Sequence, residues 1–368
     1  MWAGFAAYVG VVWKAPQLGK RVVWGLILVL VAAFALAPVI LSHDVYSYVD
    51  YARLGVRHGL DPYVYEPDSA PGDAAFVHVT WIDAKSAYGP LFTLLTYPLA
   101  WLPLGVAVAA LKAVAAASVL GIAALVARMA AWRGVDPLRA AAFVALNPLV
   151  LVHVVGGAHN DALTMLLATL AAAAILTRRE TIGGAALVAA AATKLSATFL
   201  APFALVATAT SPLTGRKPVH TTGFRPVVRI LAGALGGALA IGVAAYLAFG
   251  WDWLRGFSLA GENQSRTSHL SIPTTFARIS GLDSNGVRLA AAVLFAALVI
   301  YLLVWTARGN DWIRASAWTA FALLIATAWL LPWYLLWPLP LVAISRDRTL
   351  QLLTLGLTAY QLGARIPL

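Results

Sequence analysis

Polar side chains return abruptly after the first long apolar segment, in the stretch LSHDVYSYVDYARLGVRHGLDPYV at residues 41–64. Asp44 lies in the first turn of a predicted helix, with Ser42 as a plausible N-cap, and the helix dipole favours a carboxylate there. A carboxylate just beyond a membrane helix also lies at the rim of a helix bundle, where a general base for a hydroxyl nucleophile would be needed. The residues alone leave capping and catalysis equally open for Asp44.

A second polar cluster is GGAHND, residues 156–161, between two apolar runs. His159 and Asp161 are metal-ligand types, but two ligands without a third at regular spacing are a weak signal for a metal site. Asn160 is suited to cap the next helix, and an Asn-Asp pair can equally hold sugar hydroxyls. We rank sugar binding or capping above metal binding here.

Three cations point to an anionic ligand. Lys194 lies inside the apolar stretch LVAAAATKLSATFLAPF, where an ammonium costs about 3 kcal/mol on insertion scales unless it faces a wet cavity or a counter-ion. Snorkelling is the alternative, but apolar residues flank Lys194 on both sides. Arg266 and His269 add positive charge to ENQSRTSHLSIPTT, residues 262–275. A phosphate is the natural partner for such cations.

Aromatic residues cluster in LLPWYLLWPLP, which contains Trp333, Tyr334 and Trp337. An aromatic belt at the membrane interface is the first explanation for this pattern. Stacking on a sugar, or lining a lipid groove, is the alternative.

The composition indicates what kind of structural element carries these residues. The chain of 368 residues is 61% hydrophobic and 11% charged, which predicts an all-α polytopic membrane protein. It has no Cys, which excludes disulfides and thiolate chemistry. Its net charge of +11 is scattered at helix ends, as the positive-inside bias requires, so we do not expect it to bind nucleic acid.

The first half of the chain divides at its polar stretches. Residues 1–21 form a predicted N-terminal interfacial segment, and 22–41 form a membrane span that starts in the cytoplasm because basic residues precede it. Residues 42–90 are a first external loop with seven of the fifteen acidic residues. The later segments before the chain midpoint are a re-entrant helix at 91–102, a span at 104–127, and a hairpin at 140–156 and 161–177.

Residues 183–209 have basic residues at both ends, so two half-helices that meet around TKLSAT would keep both ends inside. The remaining predicted segments are 227–249, an external loop at 250–286, 287–307, 312–331, a short returning helix, and a last helix from about 349. This gives a bundle of roughly eleven membrane segments forming one transmembrane catalytic domain over 1–368. Most of the polar clusters then face the external side.

The stretch after Asp44 has a helical two-sided pattern. Val45, Tyr48, Val49, Ala52 and Val56 share one stripe, while Tyr46, Asp50, Arg53 and Arg57 share another. This predicts an amphipathic helix that lies in the membrane surface.

The sequence resembles the GT-C class of membrane glycosyltransferases, and within it the polyprenol-phosphate-mannose-dependent alpha-1,6-mannosyltransferases of actinobacterial lipomannan synthesis. The matching stretches follow the family's order over residues 42–345: SHDVYSYVDYARLGVRHGLDPY, SAYGPLFTLL, NPLVLVHVVGGAHNDAL, ATKLSATFLAPF and LPWYLLWPLPLVA. The resemblance implies an Asp of the first external loop as catalytic base, which here is Asp44. It also implies a lipid-monophosphate sugar donor that enters from the membrane.

The expected function is therefore inverting transfer of mannose from a polyprenyl-phosphate donor to a glycan or glycolipid hydroxyl, outside the cell membrane and without a metal or other cofactor. Asp44 is the predicted base, and Lys194, Arg266 and His269 the predicted donor-phosphate ligands. The predicted sugar or acceptor contacts are His43, Tyr46, Tyr48, His159, Asn160, Asp161, Trp333 and Tyr334.

Three alternatives remain. Transfer of another lipid-linked sugar such as arabinose would use the same residues. A secondary transporter would also use broken helices and a buried Lys, but a hydropathy repeat, which we do not find, would normally accompany it. A structural membrane protein is disfavoured by Lys194 and by the one-sided polar clusters.

Overall fold

The fold is helical throughout the part of the chain that a computed structural model describes, which is residues 2–39, 41–210, 224–262 and 266–363. No strand occurs in these ranges, which confirms the all-α prediction. Four of the described helices are long and apolar enough to cross a membrane: Trp2–Leu36, Leu104–Trp132, Phe224–Phe249 and Ser284–Ala307. The chain is therefore a polytopic membrane protein, while the total of eleven segments stays a prediction.

The α-helices of the first half alternate between long spans and short pieces. In chain order they are α1 Trp2–Leu36, α2 Asp44–Arg57, α3 Pro90–Thr96, α4 Leu104–Trp132, α5 Pro137–Ala145, α6 Asp161–Leu176 and α7 Glu180–Thr193. A 3-10 helix extends α3 over Tyr97–Trp101, and a π-helix at Val150–Val155 precedes the GGAHND turn.

The second half continues with α8 Leu200–Thr210, α9 Phe224–Phe249, α10 Arg255–Glu262, α11 Ile272–Ser280, α12 Ser284–Ala307, α13 Trp312–Ala326, α14 Leu339–Ile344 and α15 Arg348–Gly363. Helix α13 stops five residues before the predicted end of its span. The predicted external loop at 250–286 contains α10 and α11, and its residues 263–265 lie outside the described part of the chain.

Helix α1 has two parts that meet at Gly19, whose φ of 77° only glycine adopts at little cost. The part before this kink covers most of the predicted segment 1–21. Its Tyr8 is buried and donates a hydrogen bond from its hydroxyl to the Phe143 carbonyl of α5 at 2.7 Å. This contact packs the N-terminal part of α1 against the bundle.

The C-terminal end of α1 meets a lysine from another helix. Lys112 of α4 is buried and its Nζ donates to the carbonyl of Ala37. Cations stabilise helix C-termini because the last carbonyls lack partners within the helix. The contact therefore fixes the end of α1, from which the chain turns into Asp44 and α2.

Helix α2 differs from the predicted surface helix. Its apolar stripe is buried as expected, but Asp50 and Arg53 of the polar stripe are buried as well. Arg53 pairs with Asp73 at 2.9 Å and donates to the Leu102 carbonyl, because the loop after α2 folds back over this stripe. A loop therefore covers part of the helix that was predicted to lie in the membrane surface, and the pattern of α2 alone could not indicate this cover.

Asp73 holds this loop in place. Burial raises the pKa of Asp73, but hydrogen bonds from the Ala75 N–H, Arg53 and His58 outweigh burial and bring that pKa below its usual value. The Asp73 carboxylate is therefore ionised at neutral pH and anchors the loop to α2.

The break between α7 and α8 was correctly predicted. Lys194 has an extended backbone (φ −158°, ψ 128°) between Thr193 and a 3-10 helix at Leu195–Phe199. Gly89, at the start of α3, donates its N–H to the Thr193 carbonyl at 3.2 Å. A Cβ at residue 89 would overlap the backbone of Ala192, so only glycine permits this approach. The predicted external loop is thus bonded to the backbone beside Lys194.

Candidate active site

One polar cavity of about 390 Å³ lies where α2, the loop before α3, the Lys194 break and the chain after α13 meet. Five of the predicted site residues line it: Asp44, Lys194, Arg266, Trp333 and Tyr334. These residues come from four distant parts of the chain, so the fold brings together groups that the sequence only suggested were related.

Asp44 faces this cavity from the first turn of α2. Its Oδ2 lies 3.6 Å from Nδ1 of His159, and the indole of Trp81 forms a hydrogen bond with its carboxylate. Burial raises the pKa of Asp44, while the positive charge of Lys194 and the Trp81 bond act in the opposite direction without cancelling it. A raised pKa brings a carboxylate closer to the range useful for a general base.

The geometry does not support the capping interpretation of Asp44. The N-cap position of α2 is His43, which makes no side-chain cap bond, and the Asp44 N–H itself donates to Ser42 Oγ at 3.4 Å. The sequence predicts Ser42 at the N-cap position, but Ser42 lies one residue before it and contacts the first turn from there. The Asp44 carboxylate is directed to the cavity side, toward Trp81 and His159.

Lys194 forms an ion pair rather than standing as a free cation. Its Nζ lies 2.8 Å from Oδ2 of Asp161, and Oδ1 of Asp161 accepts a hydrogen bond from Trp337 Nε1 at 2.6 Å. The ammonium also lies 5.1 Å from the ring centre of Tyr334. Asp161 is fully buried with both oxygens occupied, so its geometry suits holding Lys194 better than the predicted direct contact with sugar.

Asn160 occupies the N-cap position of α6 but makes no side-chain cap bond, so capping by its side chain was a wrong prediction. Its backbone N–H donates to the Tyr48 hydroxyl at 3.5 Å. Its amide oxygen and nitrogen are buried without a hydrogen-bond partner among the described residues. Tyr48 is buried and packs edge-on against Tyr88 and Phe92.

The aromatic cluster lies inside the bundle, whereas the sequence predicts an interfacial belt. Tyr334 and Trp337 are buried and stack with ring centres 4.1 Å apart. Trp333 stacks on the imidazole of His159 at 3.7 Å with an angle of 18° between the rings. The cluster therefore forms a wall of the cavity.

Arg266 lies across the cavity mouth and packs on two indoles. Its guanidinium carbon is 4.9 Å from the ring centre of Trp81 and 5.6 Å from that of Trp329. His269 is exposed and does not line the cavity, so the structure separates these two predicted phosphate ligands.

Six of the eight predicted sugar or acceptor contacts are not among the residues that line the cavity: His43, Tyr46, Tyr48, His159, Asn160 and Asp161. His43 is exposed at the start of α2, and Tyr46 stacks on His78 with ring centres 4.8 Å apart. The predicted external loop supplies cavity residues that were not among the predicted site residues, and the chain after α13 supplies others. These are Tyr51, Trp81, Lys85, Tyr88, Trp329 and Trp337. The aromatic content of the loop was the available signal for the first group.

A bundle of membrane helices with a carboxylate, three cations and stacked aromatic rings around one cavity fits a membrane glycosyltransferase of the GT-C class. Comparison with known families agrees. A family model described as "Alpha-(1->6)-mannopyranosyltransferase, N-terminal domain" matches residues 1–210. The chain belongs to this family.

Curated relatives extend the match beyond residue 210. Alpha-(1->6)-mannopyranosyltransferase A of Mycobacterium tuberculosis is 29% identical over 361 residues, covering 89% of this chain and 67% of the relative. The A and B proteins of that name from Corynebacterium glutamicum are 26% and 25% identical, over 52% and 90% of this chain. The matched regions span 39% and 59% of those two relatives.

Proposed function

We propose that this chain transfers mannose from a polyprenyl-phosphate donor to a hydroxyl of a glycan or glycolipid acceptor, with inversion, on the extracytoplasmic side of the cell membrane. The names of its relatives support mannose as the sugar. The observation that carries the proposal is that Asp44, Lys194 and Arg266 line the same cavity. A base and two cations are the groups that a phosphate-leaving displacement requires.

In the proposed reaction, Asp44 accepts the proton of the acceptor hydroxyl. The hydroxyl oxygen attacks the anomeric carbon of mannose from the face opposite the phosphate. The new carbon–oxygen bond forms as the bond to the phosphate oxygen breaks, and polyprenyl phosphate leaves with the electron pair. Asp44 ends as a neutral acid, and the charge that develops on the phosphate needs cationic partners.

Lys194 and Arg266 are the proposed partners of that phosphate. The Lys194 ammonium is paired with Asp161 and lies over the Tyr334 ring, so its position is fixed before the donor binds. Arg266 rests on indole faces and can present its planar guanidinium to two phosphate oxygens at once. Because two side-chain cations serve the leaving group, we expect transfer to continue without a divalent metal.

The prenyl chain of the donor has a suitable neighbouring space. An apolar cavity of about 720 Å³ lies between α1 and the π-helix, lined by residues such as Val11, Leu30 and Val152. Trp333 lines both this cavity and the polar one. We propose that the prenyl chain occupies the apolar side of Trp333 while its phosphate reaches Lys194 on the other side.

The sidedness of the cavity can be tested directly because the chain has no cysteine. Asp68→Cys lies in the predicted external loop and Asn310→Cys in a predicted cytoplasmic turn, and both positions are exposed. In intact cells, a membrane-impermeant maleimide should label only the Asp68 variant. Labelling of the Asn310 variant alone would reverse the proposed orientation.

The decisive test of function is transfer by the purified protein in lipid nanodiscs. Radiolabelled polyprenyl-phosphate-mannose and a mannan oligosaccharide are supplied with and without EDTA, and Asp44→Asn is the control. We expect an elongated product with both buffers and none from the control. Transfer only from a polyprenyl-phosphate-arabinose donor would replace the proposed sugar, and transfer abolished by EDTA would contradict metal-independent chemistry.

A further inference from the structure

We propose that His159 is a positioning residue, whose Nδ1–H donates a hydrogen bond to Asp44 in the substrate complex and orients that carboxylate toward the acceptor hydroxyl. This inference rests on the proposed function of Asp44 as the base. It assigns to His159 a role different from the sugar contact that the sequence suggested.

The contact between the two side chains is nearly formed. Nδ1 of His159 and Oδ2 of Asp44 are 3.6 Å apart, compared with about 2.7–3.2 Å for an N–H···O hydrogen bond. Both ring nitrogens of His159 are buried without a hydrogen-bond partner among the described residues. A buried donor without a partner is costly, and catalytic hydrogen bonds often shorten when substrate binds. A shift of about half an ångström would satisfy Nδ1.

The surroundings restrict how His159 can move. Its imidazole lies flat against Trp333, which fixes the plane of the ring. The preceding residue, Ala158, has a φ of 53°, a left-handed conformation that a residue with a Cβ adopts at some cost. The turn therefore holds the imidazole edge toward Asp44 at the expense of backbone strain.

The charge state of His159 selects its tautomer. Burial lowers the pKa of His159 well below the usual value, and the positive charge of Lys194 and the neighbouring His153 act in the same direction. The ring is therefore neutral at pH 7 and has one N–H. Because an ionised carboxylate only accepts hydrogen bonds, the proton belongs on the nitrogen that faces Asp44, which is Nδ1.

Other groups around Asp44 also affect its pKa, and they are the same in every His159 variant. Lys194 and the Trp81 and Ser42 hydrogen bonds lower the pKa of Asp44, whereas the charge of Asp161 raises it. Lys85 and Arg266 also line the cavity, and the titratable rings near Asp44 are Tyr48, Tyr51, Tyr88 and Tyr334. Removing only the imidazole donor should raise the pKa of Asp44, because its ionised form loses one partner.

The test compares two amides at residue 159. The amide of His159→Asn lies as far from the backbone as Nδ1, whereas that of His159→Gln lies near the place of Nε2. We measure kcat and the pH dependence of kcat/KM for mannose transfer. His159→Asn should retain turnover within about fivefold, whereas His159→Gln should lose about 10- to 100-fold, as expected for a lost bond to a charged group. The acid limb should move up by about one pH unit in His159→Gln only.

Equal losses in both variants with an unchanged acid limb would overturn the positioning role. A change confined to the acceptor KM in both would assign His159 to sugar contact instead. His159→Phe, which keeps the stack on Trp333, should behave as His159→Gln if the variant is folded, as judged by thermal unfolding. His78→Gln, at an exposed site outside the cavity lining, controls for imidazole loss. Absence of transfer by the unmodified protein would be a failure of the proposed function, not of this inference.

Discussion

Asp44 and Asp161 each lie in the first turn of a helix beside the cavity, but only Asp44 lines it, and their surroundings differ. At the Asp161 corner, formed by Asp161, Lys194 and Trp337, both carboxylate oxygens have short partners at 2.8 and 2.6 Å. At the Asp44 corner, formed by Asp44, His159 and Trp81, the imidazole contact is 3.6 Å and the carboxylate lines the cavity. A fully bonded carboxylate suits a structural role, whereas one with unused bonding capacity is available for a substrate proton.

The largest expected effect is on the Asp44 corner. Asp44→Asn should lower kcat for mannose transfer by about 1,000-fold, within the range that general bases contribute, because an amide cannot accept the hydroxyl proton. The thermal unfolding midpoint should change little, since the Asp44 carboxylate lacks a short ionic partner. The measurement pairs a transfer assay with thermal unfolding in the same detergent. Turnover near that of the unmodified protein would remove Asp44 as the base.

The Asp161 corner should respond in stability first. Asp161→Asn leaves the Lys194 ammonium without its counter-ion in a site that is only 19% exposed, which should cost about 2–4 kcal/mol of folding free energy and lower the unfolding midpoint.

The double variant Asp161→Asn with Lys194→Met removes the unpaired charge as well. It should recover part of the lost midpoint. If Asp161→Asn unfolds at the same temperature as the unmodified protein but loses activity as completely as Asp44→Asn, the contrast between the two corners fails.

That double variant also tests the donor-phosphate role of Lys194 in a protein without a buried lone charge. We expect the KM for the polyprenyl-phosphate donor to rise about tenfold, the lower end for a bond to a charged group, with the acceptor KM unchanged. Lys194→Arg, which keeps the positive charge beside Asp161, should stay closer to the unmodified value. An increase in the acceptor KM alone would place Lys194 away from the phosphate.

Asp50 provides the smallest effect and a control on the same helix as Asp44. Burial, with a smaller contribution from Asp73, raises the pKa of Asp50 to about 7. The folded protein then binds this proton more tightly than the unfolded chain, so stability declines as pH rises from about 4 to about 7 and then levels off. Asp50→Asn removes that decline and should raise the unfolding midpoint by about 3 °C at pH 8 but not at pH 4.

Mannose transfer by Asp50→Asn should match that of the unmodified protein, because Asp50 lies beneath the external loop and does not line the cavity. If Asp50→Asn lost as much activity as Asp44→Asn, removing any buried carboxylate from α2 would be enough to abolish transfer. The position of Asp44 at the cavity would then not explain its effect.

The sequence predicted the helices and their interruptions well where composition alone determines them. The break at Lys194 followed from basic residues at both ends of one apolar stretch, and the short helix at Pro90–Thr96 from an apolar run too short to span. These features depend on local hydrophobicity and charge, which a single sequence contains. Asp44 and Lys194 were singled out because charges beside or within apolar segments are costly.

The pairings could not be predicted in this way. Trp337 binds Asp161 across 176 residues, and Arg53 binds Asp73 through a loop with no repeating pattern. Nothing local distinguishes an aromatic residue in an interfacial belt from one that faces a cavity, so Trp333 and Tyr334 were first explained as a belt. The sequence predicts Asn160 as the N-cap of the next helix. Asn160 does occupy the N-cap position of α6, but its side chain makes no cap bond.

The hydrogen bond from Gly89 to the Thr193 carbonyl bears on how this enzyme tolerates change. It joins the predicted external loop to the Lys194 segment through main-chain atoms, so this link does not depend on which side chains the loop carries. Loop positions with exposed side chains, such as Asp68 and Val77, can therefore vary without moving the backbone beside Lys194. Trp81 and Asp73 do not share that freedom, because they bind Asp44 and Arg53. Sequence drift in the loop and placement of the Lys194 backbone are thus separated at a single glycine.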